Sequence, residues 1–319
     1  QPSTFNLQPS TFIMKILFLF LDGIGLGENN PEINPFARAN MPYLESLLKG
    51  RKLLRESAPV DSESAALFSI NPRLGVNGAP QSATGQAVLL TGINIPAEIG
   101  YHYGPKPNPE VAQYLDGKTL FAKTVQAGKT AALLNAYPPR YFEGIDSGKR
   151  LYSAIPLALT NAGLPLFTHE DYFAGKALSA DFTGKGWHEF LNFPEAPIFE
   201  TEEAGKRLAD LARQYDFSFF EYWASDYAGH KQDMGSAVRQ MERFDGVLKG
   251  LLEHWDSNDL VLLTSDHGNM EDLSTRKHTE ADVPLLLFGE KSIRDEFGKD
   301  IRDLTGIAPA IEKGLGIRN

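Results

Sequence analysis

Asp226 and His230, in the stretch "DYAGH", stand four residues apart directly after the apolar run "FSFFEYWAS". On a helical turn this spacing puts both side chains on one side, where they could share one metal ion. "SDHGN" at 265–269 sets a carboxylate beside an imidazole, Asp266 and His267, on a loop opened by Gly268. His278 follows in "KHTEADVP", and Asp22 ends the run "KILFLFL". Most of these have a plainer reading in isolation: Asp22-Gly23 as a turn closing a strand, Asp226 with His230 as a surface pair, His278 as a solvated loop residue. Asp266 beside His267 has no evident packing purpose after an apolar strand. Three Asp and three His, all at expected strand ends, therefore predict a metal centre rather than six coincidences.

A hydroxyl completes the set. "PQSATGQAVLLTG", residues 80–92, puts Ser82 and Thr84 at the start of a short apolar helix. Ser and Thr are favoured there because the side-chain oxygen accepts a bond from an unpaired backbone N–H. The same helix terminus suits a phosphate, since unbonded N–H groups and the helix dipole both favour an anion. Taken alone, the stretch favours two caps over a nucleophile.

The elements that must position these residues are legible as short apolar runs at 15–21, 130–135, 217–222, 260–266 and 283–289. Such runs suit strands buried on both faces. Helical patterns near 40–50, 82–90, 119–127, 200–214, 234–254 and 303–314 alternate with them. The alternation predicts an α/β fold, a three-layer α/β/α sandwich with a mostly parallel central sheet. In such sheets ligands bind beyond the carboxyl ends of the strands, where Asp22, Asp226 and Asp266 are expected. Two stretches break the pattern: 93–118, with Pro96, Pro105, Pro107 and Pro109, and 144–200, rich in Gly, Pro and aromatics. Both are read as insertions forming a small cap. Their aromatics, Tyr172, Phe173 and Trp187 among them, are expected either to line a pocket or to form the cap's own core. Residues 1–13 lack any periodic pattern and are read as a disordered tail or misassigned start, leaving 14–319 as the catalytic domain.

Composition narrows the chemistry. Among 319 residues, 41 acidic against 31 basic give a net charge of −10. No Lys/Arg cluster could follow a nucleic-acid backbone, so nucleic acid is excluded as a partner. The chain has no cysteine, which excludes disulfides, thiolate metal sites and a cysteine nucleophile. Any metal must be held by oxygen and imidazole. The first apolar run is too short to span a bilayer and has no basic flank, so a cytoplasmic protein without a membrane partner is expected.

The order of Asp22, a hydroxyl near 82, "DYAGH", "SDHGN" and "HT" resembles the alkaline-phosphatase superfamily of two-metal phosphoryl-transfer enzymes. It is most similar to the cofactor-independent phosphoglycerate mutase and phosphopentomutase branch. The resemblance covers about 15–92, 119–143 and 201–314, and "LTGIAPAIEKGLGI" is similar to the superfamily's last helix. It implies one metal held by Asp226, His230 and His278, and a second held by Asp22, Asp266, His267 and the oxygen of Ser82. It also implies Ser82 as nucleophile: the mutases carry theirs three residues before a Gly, here Gly85, and the sulfatases ten before the Gly of "LLTG", here Gly92. Thr84 fits neither count. Gln86 stands where the mutases usually have His, and the Pro and Arg of sulfatases are missing, which disfavours sulfate-ester hydrolysis.

The resulting expectation is a metal-dependent phosphohydrolase acting on a small phosphorylated substrate, a monoester or diester, through a phosphoserine at Ser82. Carboxylate and imidazole without sulfur suit two divalent ions, Mn2+ or Zn2+. A phosphomutase is the first alternative. The resembled mutases close their site with a much larger insertion and arginine-rich segments, whereas this chain offers 26 and 57 residues in its two stretches and one adjacent basic pair there, Lys149-Arg150. A non-catalytic metal-binding module is the second, and retention of all seven candidate ligands speaks against it.

Overall fold

The computed structural model describes residues 14–317; the expected N-terminal tail, 1–13, lies outside them. Seven strands form the main sheet: β1 (Ile16–Leu21), β2 (Val60–Asp61), β3 (Ala65–Ile70), β4 (Ala131–Leu133), β5 (Phe217–Tyr222), β6 (Leu260–Thr264) and β7 (Val283–Phe288). Their spatial order is β2-β3-β7-β6-β1-β5-β4. β6, β1, β5 and β4 pair in parallel, while β7 runs antiparallel to both β6 and β3. Five strands thus share one direction, β3 among them through its two antiparallel steps. The β2–β3 hairpin at one edge is an addition to the five strands expected from apolar runs; its pairing partner "AALFSI" carries a half-buried Phe68 and an exposed Ser69, so its apolar signal is broken.

The helices that matter for the site are α1 (Ser82–Thr91), α2 (Leu120–Gln126), α3 (Ala154–Asn161), α4 (Thr201–Ala212), α5 (Ala224–Lys231), α6 (Met234–Leu252) and α7 (Ile307–Gly314). Alternation along β1 shows how the layers form. Leu17, Leu19 and Leu21 join Leu208 of α4 and Met241, Phe244 and Leu248 of α6 in one apolar cluster. Ile16, Phe18 and Phe20 join Val88 and Leu90 of α1, Phe121 of α2, Ile155 of α3 and Ile307 and Ile311 of α7 in another. Both faces of the strand are buried, which is why it reads as a continuous apolar run. Each such side chain contributes about 1.5–3 kcal/mol by leaving water.

All ten residues of α1 are buried, the polar Ser82, Thr84, Gln86 and Thr91 included. Gly85 permits its close approach to β6, because a Cβ there would meet the Cβ of Asp266 at 2.8 Å. Of the two interruptions, 144–200 is not uniform. Its α3 packs into the helical layer over the sheet, whereas Tyr172, Trp187, Ala177 and Ala196 form a small separate core with Phe173 and Phe193 against it. Among the described residues no helix is long and apolar enough to cross a membrane.

Candidate metal centre

β1, β5 and β6 end side by side, and each hands its next residues to the same place. Asp22 follows β1 directly, Asp266 and His267 follow β6 by one residue, and α5, which carries Asp226 and His230, begins two residues after β5. Asp22-Gly23 is indeed a turn, and Gly23 is required twice over: its φ is +68°, and a Cβ would meet Asp226 Oδ1 at 2.7 Å. The α5 spacing does what the four-residue interval predicts, with His230 Nε2 3.2 Å from Asp226 Oδ2. His278, between β6 and β7, brings its Nε2 to 3.6 Å from Asp226 Oδ1 and 3.3 Å from His230 Nε2. Deeper in, His267 Nε2 lies 3.4 Å from Asp22 Oδ1, 3.5 Å from Asp266 Oδ2 and 3.0 Å from Ser82 Oγ. The rings of His267 and His278 stack at 3.7 Å. All seven candidate ligands therefore meet in one cluster. Asp226 belongs to both halves: it offers an oxygen within 4.8 Å of His230 and His278 and, in a second grouping, of Asp22 and His267.

The two hydroxyls part company. Ser82 is the first residue of α1 and its oxygen turns to His267; no side chain caps the helix. Thr84 Oγ1 donates to the carbonyls of Gln81 and Tyr103 and accepts from Tyr103 N–H at 3.1 Å, tying the 101–104 segment to the helix. Neither is a cap. The amides of Thr84 and Gly85 donate to Tyr103 and Gln81 carbonyls, while those of Ser82 and Ala83 have no hydrogen-bond acceptor among the described residues, as the first N–H groups of a helix have none within it.

Three properties of the cluster fit a pair of divalent ions. First, His230 Nδ1 bonds to the Arg276 carbonyl at 2.7 Å and His278 Nδ1 to the Pro80 carbonyl at 2.9 Å. A carbonyl only accepts, so each Nδ1 carries a proton and each Nε2 is left facing the centre. The two Nε2 atoms meet at 3.3 Å beside the Asp226 carboxylate, a crowding that a bound cation between them would relieve. Second, Asp22 Oδ1 is buried and makes no hydrogen bond among the described residues. Third, burial and then the charges of Asp266 and Asp226 push the Asp22 carboxyl well up, burial and then Asp226 push Asp266 up to about 7, and burial and then His278 push His267 down to about 3. Such a set of crowded carboxylates and neutral imidazoles is inverted by a bound cation, which favours every charged oxygen.

Several participants carry no signature of their own in the sequence. Asn269 donates from Nδ2 to Asp226 Oδ1 at 2.6 Å. Glu271, buried, accepts from the amides of Gly25 and Asn269 at 3.0 and 2.8 Å and from the Thr279 hydroxyl. It thus joins the loop after β1, the loop after β6 and the segment before β7. The available hint was adjacency: Asn269 closes the quoted "SDHGN", and Glu271 follows it by two residues. Glu221, on β5, is buried beside the centre, and burial followed by the charge of Asp266 raises it to about 7. Gln86, at the position where the mutases carry His, holds its amide nitrogen 3.4 Å from both Asp22 and Asp266.

Comparison with known proteins adds lineage to geometry. A model of the Metalloenzyme superfamily matches residues 192–319. The 2,3-bisphosphoglycerate-independent phosphoglycerate mutase of Thermococcus kodakarensis is 25% identical over 293 residues, covering 85% of this chain and 70% of that protein. The phosphopentomutase of Helicobacter pylori is 30% identical over 112 residues, 32% of this chain and 27% of that one. In fold, the chain is similar to the alkaline phosphatase of the Antarctic bacterium TAB5, with a TM-score of 0.53 at 15% identity, covering 96% of this chain and 99% of that one. The family model over the C-terminal part, the relatives and the fold all support an alkaline-phosphatase-superfamily protein near the phosphoglycerate mutase and phosphopentomutase branch.

Proposed function

We propose that the chain transfers the phosphoryl group of a small phosphate ester to Ser82 and from there to water. The observation that carries this reading is Ser82 Oγ, held at the start of a buried helix inside the cluster, 3.0 Å from His267 Nε2. Asp226, His230 and His278 would hold one divalent ion, and Asp22, Asp266, His267 and the Ser82 oxygen a second. Such ions supply charge neutralisation for the phosphoryl oxygens and ease ionisation of the serine hydroxyl.

The protein's own groups do the positioning. Ser82 Oγ forms the new bond to phosphorus as the bond to the leaving alcohol's oxygen breaks, the hydroxyl's proton ending on that alcohol; water then adds its oxygen to phosphorus as the phosphoserine bond breaks, and a proton from that water ends on Oγ. The start of α1, whose Ser82 and Ala83 amides have no protein acceptor among the described residues, would favour an anion beside Ser82. Asn269 fixes Asp226, and the Arg276 and Pro80 carbonyls fix two imidazoles, so that little rearrangement is needed when charge develops.

Water as the final acceptor is supported by the open outer side, where the His230 side chain is 43% exposed. A mutase, which returns the group to the same molecule, is the second reading, and it is the one that the names of the relatives favour. Product analysis on protein loaded with Mn2+ or Zn2+ separates them. A panel of phosphorylated metabolites is expected to yield inorganic phosphate and a serine-linked phosphate mapped to Ser82. Conversion of a phosphate ester to its isomer without phosphate release would replace hydrolysis by the mutase reading, and phosphate mapped to Thr84 would overturn the role of Ser82.

A further inference from the structure

Trp223 and Tyr227 belong to the same stripe of α5 as two of the candidate ligands. Residues 223, 226, 227 and 230 follow the i, i+3, i+4, i+7 rule, and at 3.6 residues per turn they fall within an arc of about 100°. Trp223 itself has helical dihedrals, so the arc extends through it. The opposite arc, Ser225, Ala228 and Gly229, is the buried one. On most helices of a globular protein such a four-residue stripe is apolar and packs inward. Here it points out of the fold: Asp226 and His230 turn to the centre, and Trp223 and Tyr227 are 51% and 57% exposed.

Large aromatic side chains half in water are costly unless something covers them, and this pair has little cover. Among the described residues Trp223 stacks on no other ring, and Tyr227 has only the Lys231 ammonium, 5.3 Å from its ring centroid. Tyr172, Phe173 and Trp187 of the 144–200 insertion are used up in its own core. Two residues are also too few for a stable contact between copies, which needs about 1,200 Å2 or more. Contiguity with the ligand stripe favours a different occupant. We propose that Trp223 and Tyr227 form an aromatic platform at the mouth of the centre, on which a planar ring in the non-phosphate half of the substrate stacks. This rests on the phosphate-ester reading for what the ring is attached to. The metal ligands take the phosphate, and the aromatic half of the stripe takes an aryl group or a base.

Equilibrium binding tests the platform without requiring turnover. Calorimetry on Mn2+-loaded protein would compare phenylphosphonate with propylphosphonate, neither of which can be cleaved as an ester. The expected result is about tenfold tighter binding of the phenyl compound, in keeping with the contribution of one stacked ring. Trp223→Ala should remove that preference and Trp223→Phe should restore most of it, with the metal content of both variants unchanged. A methylenephosphonate analogue of adenosine 5′-phosphate binding tighter than phenylphosphonate would identify a base, and the reverse order a simple aryl group. Equal affinities in the wild type, a preference that survives Trp223→Ala, or a change of oligomeric state in that variant would each overturn the platform. If the ring preference holds but phenyl phosphate is never turned over, the platform stands and the phosphoryl-transfer reading falls. Turnover without ring preference has the opposite meaning.

Discussion

The two halves of the centre differ in depth, and the difference decides what each residue must do. Ser82, Asp266 and His267 are buried and Asp22 nearly so, fixed by a strand end on one side and by the start of α1 on the other. Their ionisation is governed first by desolvation. His230, by contrast, is 43% exposed, and Asp226 lies between the halves at 18%. The outer imidazoles are held by single carbonyls from distant loops, Arg276 and Pro80. The inner half is therefore part of the core, so that damage to it is damage to the fold as well as to the chemistry. In the outer half His230 is attached to the fold and can be altered with less collateral loss, whereas His278, 8% exposed and stacked on His267, marks the boundary with the inner half.

The largest expected effect falls on the inner hydroxyl. Ser82→Ala should lower turnover by several orders of magnitude, because no other group in the cluster is placed to form the covalent intermediate; full activity in this variant, measured on any substrate found in the panel, would remove the inner half from the reaction.

Metal content then tests depth itself. His267→Ala removes a fully buried ring in contact with Ser82, Asp22, Asp266 and His278. It should lose bound metal and also about 2–5 kcal/mol of stability through the cavity left behind. His230→Ala should lose one of two ions with a stability change within about 0.5 kcal/mol. Elemental analysis with thermal unfolding checks both, and a His230→Ala protein as unstable as His267→Ala would erase the distinction.

A third effect concerns pH in the metal-free protein. Glu221 holds its proton up to about pH 7 in the fold, where an ordinary glutamate releases it near 4.5, because of burial first and the Asp266 charge second. Between those values the folded state binds more protons than the unfolded chain, so Glu221 makes stability fall as pH rises through the window. His267 acts in the opposite sense: depressed to about 3, it makes stability rise with pH between about 3 and its ordinary 6.5. Comparing wild type with Glu221→Gln isolates the first contribution. The variant should lose less stability between pH 4.5 and 7, and identical profiles would show that Glu221 ionises freely.

The smallest effect is expected at the second hydroxyl. Thr84→Ala deletes bonds to Gln81 and Tyr103 and should cost about 1–2 kcal/mol in denaturant unfolding with turnover within a few-fold. A loss comparable to that of Ser82→Ala would mean that the wrong oxygen had been assigned to the chemistry.

Legibility followed the range of the interaction. The Asp226–His230 pair was readable because four residues on a helix are close whatever the rest of the chain does, and β1 because a strand buried on both faces leaves an unbroken apolar run. The sheet order was not readable. Nothing local says that β7 is inserted antiparallel between β3 and β6, since its run "VPLLLF" looks the same in either direction. Asn269 and Glu271 were equally silent, because a polar residue in a polar loop has no period to betray it.

The amino-acid order alone carried the inventory: oxygen and imidazole as candidate ligands without sulfur, the order of the motifs, the helix-spaced pair Asp226 and His230, and the apolar strands that end beside them. The tertiary structure alone decided which hydroxyl faces the imidazoles, which carbonyls orient His230 and His278, and which carboxyls are deprived of water. Those properties depend on groups as far apart as Pro80 and His278, 198 residues along the chain. Only closure of the sheet brings them within hydrogen-bonding distance, and it is the same closure that removes the solvent.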